Sequence, residues 1–318
     1  MSTSHLSLDQ QSLEQQRLEQ QRLEHCRTNW FGVVADYVEL TKPKIAVMLL
    51  AAVAVTSFVA AKGYPDLLAM LHVIVGTALV AASSCVWNQW IERHVDMLMP
   101  RTASRPLPAG RIQPFSAVMF GTVLGIAGVV YLAATVGWLT SGIGALTWVL
   151  YVCVYTPMKR TSPWNTAVGA VAGALPLWMG WLAMGKELDT RAVAIFAILF
   201  FWQFPHFMAI AWLYRKQYEK AGMKMWSVVD PTGRRAGVQA VSSAVALILV
   251  SIIPVILGPL DFTHILLLFT TAILGFAQLL FAVNFYQKPT DIAARWLLWA
   301  SLVYLPCMLG LLLLNHLA

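Results

Sequence analysis

The chain has 318 residues, of which 58% are hydrophobic and only 12% charged, with a net charge of +7. Soluble domains carry about 25% charged and about 45–50% apolar residues, so this chain cannot shield its apolar surface from water without lipid. The positive balance does not point to nucleic acid, because no basic stripe accompanies a soluble domain and membrane proteins place Lys and Arg by topology. The four cysteines, Cys26, Cys85, Cys153 and Cys307, are scattered and imply neither a disulfide framework nor a zinc site.

Residues 7–26 repeat as SLDQQ SLEQQ RLEQQ RLEHC. At about 100° per residue, a five-residue step turns a side chain by about 140°. Leu8, Leu13, Leu18 and Leu23 therefore spiral around a helix and form no heptad seam. The repeat lacks the apolar core of a signal peptide. We read 1–34 as a polar, poorly ordered or loosely helical cytoplasmic tail, and 35–318 as one transmembrane domain.

Apolar runs near the ~20 residues that span a bilayer follow at about 44–62, 67–91, 114–135, 138–156, 164–184, 192–213, 237–257, 263–285 and 295–315. The expected fold is all-α: a polytopic bundle of about nine transmembrane helices. Lys42, Lys44, Arg93, Arg101, Arg105, Arg111, Lys159, Arg160 and the basic residues of the loops after spans six and eight fall on one side. Only Lys62, Lys186 and Arg191 fall on the other. Basic loops stay cytoplasmic, so the expected topology has the N-terminus inside and the C-terminus outside. Gly121 with Gly125, and Gly169 with Gly173, give GxxxG spacings that permit close helix approach in lipid. Pro176, Pro205, Pro254 and Pro306 lie inside spans, where each frees a backbone carbonyl that a neighbour must satisfy.

Span two ends in CVWNQWIERHVDMLMPRTASRPLPAGR, residues 85–111. Steps of four rotate only about 40° beyond a full turn, so Asn88, Glu92 and Asp96 share one helix face. An amide and two carboxylates are hard oxygen ligands of the kind magnesium takes alongside substrate phosphates. Arg101 and Arg105 beside them offer bidentate grips on the same phosphates. The plainer reading is a solvated helix end with i,i+4 ion pairs. Lys159 and Arg160, in VYTPMKRTSPWN, reach the same surface, either as topology anchors or to neutralise a departing diphosphate. In FFWQFPHFMAIAW, Gln203 and His206 are three apart on one helix face beside Trp202. Ionisable groups within a span are functional candidates.

Together, NxxxExxxD followed by MPRTASRPLPAG, then YTPMKRTSPWNTAVGAVAGALP, then WQFPHFMAIAW resemble the protoheme IX farnesyltransferases, or heme O synthases. These belong to the intramembrane UbiA-type prenyltransferases, and the likeness covers about residues 35–315. The resemblance implies a nine-helix bundle with a central cavity opening to the cytoplasmic side. A mitochondrial presequence is poor in acids, whereas residues 1–30 contain Asp9, Glu14, Glu19 and Glu24, so the expected home is a bacterial inner membrane. The resemblance also implies magnesium-dependent transfer of farnesyl from farnesyl diphosphate to a vinyl group of heme B, with addition of water. By matching position, Asn88, Glu92 and Asp96 would hold magnesium, and Arg101, Arg105, Lys159 and Arg160 the diphosphate. Asn88, Glu92, Asp96 and Lys159 would be catalytic, and His206, with Gln203 and Trp202, would contact heme. Beyond lipid, heme B and farnesyl diphosphate, heme A synthase or oxidase assembly proteins are the expected partners. One departure stands out: Gln217 precedes Tyr218 where the family carries an acid, with Glu219 and Asp230 as the nearest replacements. The alternatives are a prenyltransferase acting on an aromatic or quinone precursor, a transporter, and a structural assembly factor.

Overall fold

The computed structural model describes residues 30–257 and 262–317, all of whose regular elements are helices. The repeat at 7–26 lies outside the described residues. The expected boundary between tail and domain at 34/35 falls within helix α1 (Trp30–Leu40).

Two features end α1 and start α2 (Pro43–Ala60). Lys42 takes a left-handed backbone, φ 52°, and Pro43 occupies the first helical turn. Proline suits that position because its missing N–H would have no intrahelical partner there. The left-handed backbone costs a non-glycine residue about 1–2 kcal/mol, so something must hold Lys42 there. Arg111 fastens α1 to the loop after the next helix, through Asp36 at 2.8 Å, Glu39 at 2.9 Å and the Ser104 carbonyl at 2.7 Å.

Helix α3 (Leu67–Asp96) is 30 residues long and is capped by Asp66, whose carboxylate accepts from the Leu68 and Ala69 amides. At 1.5 Å per residue it is ~45 Å long, against ~30 Å of hydrocarbon. It is therefore long enough for its polar last turns, from Glu92 to Asp96, to pass the apolar layer. Helix α4 (Pro114–Thr135) lies against it. Gly121 and Gly125 face Val86, Trp87 and Ser83, as their spacing leads one to expect, and the Ser83 hydroxyl donates to the Gly121 carbonyl at 2.6 Å. Gly137, at φ 139°, turns the chain into α5 (Trp138–Met158), so the two-residue break between spans three and four is real. The stretch Leu150–Tyr155 of α5 is wound as a π-helix, a local over-wide turn that re-aims the side chains after it.

Helix α6 (Asn165–Leu182) and helix α7 (Thr190–Leu213) carry Pro176 and Pro205. Two short helices follow, α8 (Arg215–Lys220) and α9 (Trp226–Val229). Helices α10 (Arg234–Ile256), α11 (Phe262–Gln287) and α12 (Asp291–Leu317) complete the bundle. The chain winds so that successive long helices pack side by side, with α12 returning against α7 and α2. Outward positions such as Ile126, Leu249, Ile273 and Leu280 are exposed, a girdle that only lipid would cover.

Among the described residues, eight helices are long and apolar enough to cross a membrane. The ninth expected span is α6, a Gly- and Ala-rich helix that is not among the eight. It nevertheless runs the same depth as its neighbours. Its start, at Asn165, donates to the Lys224 carbonyl at the end of the bundle where Lys42 lies. Near its other end, the Gly180 carbonyl accepts from Ser57, close to the last turn of α2. Its weak hydropathy reflects burial among helices, where small residues serve better than large ones. A Cβ at Gly180 would sit 2.5 Å from the Val53 carbonyl oxygen. Backbone cannot step aside as a side chain can, so Gly180→Ala should part α2 from α6 and lower stability by about 1–3 kcal/mol. A thermal unfolding midpoint in detergent unchanged from wild type would contradict this packing.

Candidate active site

The C-terminal turns of α3 carry Asn88, Glu92 and Asp96, and all three are buried. Each is held by a group from elsewhere in the chain. Lys42 Nζ donates to Asn88 Oδ1 at 2.9 Å, and Asn88 Nδ2 donates to Thr156 Oγ1 at 3.1 Å. Lys159 Nζ lies 2.9 Å from Glu92 Oε1 and 3.1 Å from Oε2. Arg105 Nη1 pairs with Asp96 Oδ2 at 2.7 Å, with Asp96 only 1% exposed. The solvated helix end with ion pairs along its own surface is not what forms, since every partner lies off α3.

The surrounding loops are built to hold these cations. Thr156 reaches Asn88 because the π-helical stretch turns it inward, and its hydroxyl donates to the Tyr151 carbonyl at 2.8 Å. The backbone of Lys159 is tied to the loop after α8 by the Lys224 amide at 2.6 Å, and Asn165 bonds the Lys224 carbonyl at 3.1 Å. Arg101 lies over the Tyr214 ring, 4.9 Å from its centroid, and donates to the Tyr218 hydroxyl at 3.4 Å. Lys159 also lies 4.7 Å from the Tyr155 ring centroid.

The electrostatics follow from this crowding. Burial opposes charge on Lys159, but the Glu92 carboxylate beside it outweighs burial and holds the ammonium above its ordinary range. Among the described residues Lys42 has no carboxylate at contact; burial, with Arg105 and Lys159 nearby, pushes its ammonium below the ordinary lysine value. Burial likewise raises the Tyr218 phenol, which stays a neutral hydroxyl. Lys42, Arg101, Arg105 and Lys159 outnumber Glu92 and Asp96, so the cluster attracts an anion before any ligand arrives. Among the described residues, no three His, Cys, Asp or Glu side chains converge as a metal cage. Two carboxylates and an amide nonetheless suit magnesium, which commonly takes one or two protein carboxylates and completes its shell with water and substrate phosphates.

Of the residues singled out from the sequence, Asn88, Glu92, Asp96, Arg101, Arg105 and Lys159 are brought together. Arg160 is not: it is exposed on the loop and makes no ion pair among the described residues. Gln203 and His206 share a helix but serve different neighbours. Both bonds of Gln203 Nε2 go to carbonyls, Ala170 on α6 at 2.9 Å and Leu199 at 3.2 Å, so Gln203 ties helices together. His206 Nδ1 instead meets Ser301 of α12 at 2.9 Å, and its ring stacks on Trp202 with centroids 4.9 Å apart. Asp230 stands in for no missing acid. Its carboxylate caps the turn into α10 through Thr232 and the Arg235 amide. Gln217 keeps a buried Oε1 without a hydrogen-bond partner among the described residues. Lys42 and Thr156 were missed. The Pro after Lys42 marked a helix start, but nothing local foretold a bond across 46 residues to Asn88.

The profile of the UbiA prenyltransferase family matches residues 47–311. The chain belongs to that family. A protoheme IX farnesyltransferase of Solibacter usitatus is 42% identical over 293 residues, 88% of this chain and 98% of the relative. One of Rhodopirellula baltica is 41% identical, covering 86% and 96%. The mitochondrial protoheme IX farnesyltransferase of Arabidopsis thaliana is 37% identical over 88% of this chain. The fold also matches solved family structures. A digeranylgeranylglyceryl phosphate synthase superposes with a TM-score of 0.72 at 19% identity, covering 89% of this chain and 97% of the other. A UbiA homologue from Archaeoglobus fulgidus, bound to GPP and Mg2+, gives 0.66 at 16% identity, covering 87% and 99%. This family member is therefore a multi-span membrane prenyltransferase.

Proposed function

We propose that the chain transfers farnesyl from farnesyl diphosphate to a vinyl group of heme B, giving heme O. What carries the reading is the identity of 42% over 88% of the chain to a protoheme IX farnesyltransferase, joined to a buried cationic cluster at one end of an apolar bundle. Asn88, Glu92 and Asp96 would hold magnesium. Bound there, the metal would neutralise charge on the departing diphosphate. Arg101, Arg105, Lys159 and Lys42 would bind the diphosphate oxygens, and Arg160, exposed on the same loop as Lys159, would add its charge only from outside the cluster. His206 and Trp202 would contact the porphyrin, with Gln203 supporting their helix.

The chemistry balances with these parts. The allylic C–O bond breaks and its electron pair leaves with the diphosphate, which the four cations stabilise more strongly as its charge grows. The vinyl π electrons attack the allylic carbon, and the new cation beside the porphyrin ring takes up water and loses a proton. A bundle sheathed in lipid keeps bulk water from the allylic cation before that attack. We place the cationic end, with the N-terminus, on the cytoplasmic face of a bacterial inner membrane, because the basic loops gather there. The catalytic unit would run from 35 to 318, near a heme A synthase or oxidase assembly proteins that take the product. A transporter would keep its charged groups at mid-depth between repeats, whereas here the ionisable cluster sits at one end.

The test is mass spectrometry of pigments from membranes holding the full chain, incubated with heme B, farnesyl diphosphate and magnesium. The expected product is heavier than heme B by one farnesyl group and one water, and EDTA should abolish it. Consumption of the diphosphate without a new pigment would move the acceptor to an aromatic or quinone precursor. No consumption by folded protein would overturn the prenyltransferase reading of this site.

A further inference from the structure

Ser301 lies on α12, 0% exposed, with His206 and Trp202 of α7 against it. Its hydroxyl lies 2.6 Å from the Leu298 carbonyl oxygen. A carbonyl oxygen only accepts, so the single hydroxyl proton is committed to that bond. The same oxygen lies 2.9 Å from His206 Nδ1. With no hydroxyl proton left, the nitrogen must be the donor. The Ser301 carbonyl meanwhile accepts from Trp202 Nε1 at 2.7 Å. One residue therefore fixes both members of the stacked pair, Trp202 by its backbone and His206 by its side chain.

We infer that Ser301 is a positioning residue that locks His206 as the Nδ1–H tautomer, leaving Nε2 as a bare lone pair for the iron of the porphyrin substrate. The tautomer stands on the hydrogen bonds alone; what Nε2 meets rests on the heme reading above. A neutral imidazole whose other nitrogen is hydrogen-bonded is the usual metal-ligating form. The acceptor chosen here has a consequence. Resident metal sites often set a carboxylate on the far nitrogen, which raises the ligand's basicity. A serine hydroxyl carries no charge and draws the Nδ1 proton less. The imidazole stays a weaker donor to iron, which suits a substrate that must leave after one turnover.

Two measurements on the full chain in nanodiscs test this. In protein with 15N-labelled histidine and no heme, the ring nitrogens of His206, assigned by their loss in His206→Ala, should show a protonated Nδ1 and a bare Nε2. The reverse pattern overturns the proposal, whatever the substrate is. Ferrous protoheme is then added and the iron–imidazole stretch recorded by resonance Raman. His206→Ala should abolish the band, and Ser301→Ala should move it to lower frequency and weaken heme affinity about 10-fold. Ser301→Thr, which keeps the hydroxyl, should restore both and covers the case in which the alanine variant does not fold. A band and affinity unchanged in Ser301→Ala would remove the positioning role while leaving the heme reading intact. A band that survives in His206→Ala would remove the iron contact. Absence of heme binding by the wild type would defeat the heme reading alone, with the tautomer result still standing.

Discussion

Asp96→Asn is expected to lower prenyl transfer by about 10²–10³-fold, the scale seen when one well-placed group that stabilises transition-state charge is removed. The change is nearly isosteric, so it tests charge rather than shape. Asp96 is buried, and its ion-pair partner among the described residues is Arg105 at 2.7 Å. The amide oxygen can still accept from that guanidinium, but the site loses one of its two carboxylates and its hold on a divalent cation weakens. The fall should appear mainly in kcat, with a raised magnesium requirement, while KM for the diphosphate changes little because freed positive charge still attracts the anion. Stability should fall by only about 1 kcal/mol, because the hydrogen bond to the guanidinium is kept and only the pairing of opposite charges is lost. A folded Asp96→Asn protein with wild-type turnover would sink the assignment of the triad and favour a transport or scaffold role.

The contrast between Asp96 and Lys42 marks how far the amino-acid sequence alone could be read. Period and hydropathy are local properties, so the spans were legible even where only Val136 and Gly137 divide two of them. The triad was legible because a step of four on a helix fixes a shared face whatever lies around it. The overrun of α3 past the apolar run at 67–91, to Asp96, was signalled by those same polar residues on its last turns. Partnerships across the fold were not legible. The π-helical stretch that turns Thr156 toward Asn88 has no local signature, and a proline three residues from both Trp202 and Met208 does not say that Gln203 will face α6 and His206 α12. Arg160 and Lys159 are adjacent and chemically alike, yet among the described residues only Lys159 meets a carboxylate. That difference comes from the loop being pinned at the Lys159 amide plane by Lys224. Lys42 read as one more cytoplasmic anchor because Lys and Arg are enriched at the cytoplasmic ends of spans whatever the protein does.

Lys42→Met is the sharper test of that missed residue, and it should lower kcat/KM for the prenyl diphosphate by about 10²-fold. The ammonium is the nearest cation to Asn88, 2.9 Å from Oδ1. Methionine fills similar space without charge or donor, so Asn88 loses its hold on one side and the leaving group loses one counter-charge. Stability need not follow activity. The left-handed backbone of Lys42 disfavours any residue with a Cβ by about 1–2 kcal/mol, and burial works against its charge. Both penalties persist in the wild type because the residue serves the site rather than the fold. Lys42→Gly should therefore be as inactive as Lys42→Met yet unfold at a temperature equal to or above that of the methionine variant, since glycine adopts positive φ freely. Thermal unfolding and single-turnover prenyl transfer measured on the same two preparations decide it. If Lys42→Met retains full activity, Lys42 is only a topology anchor. If Lys42→Gly unfolds well below Lys42→Met, the left-handed turn is not where strain resides.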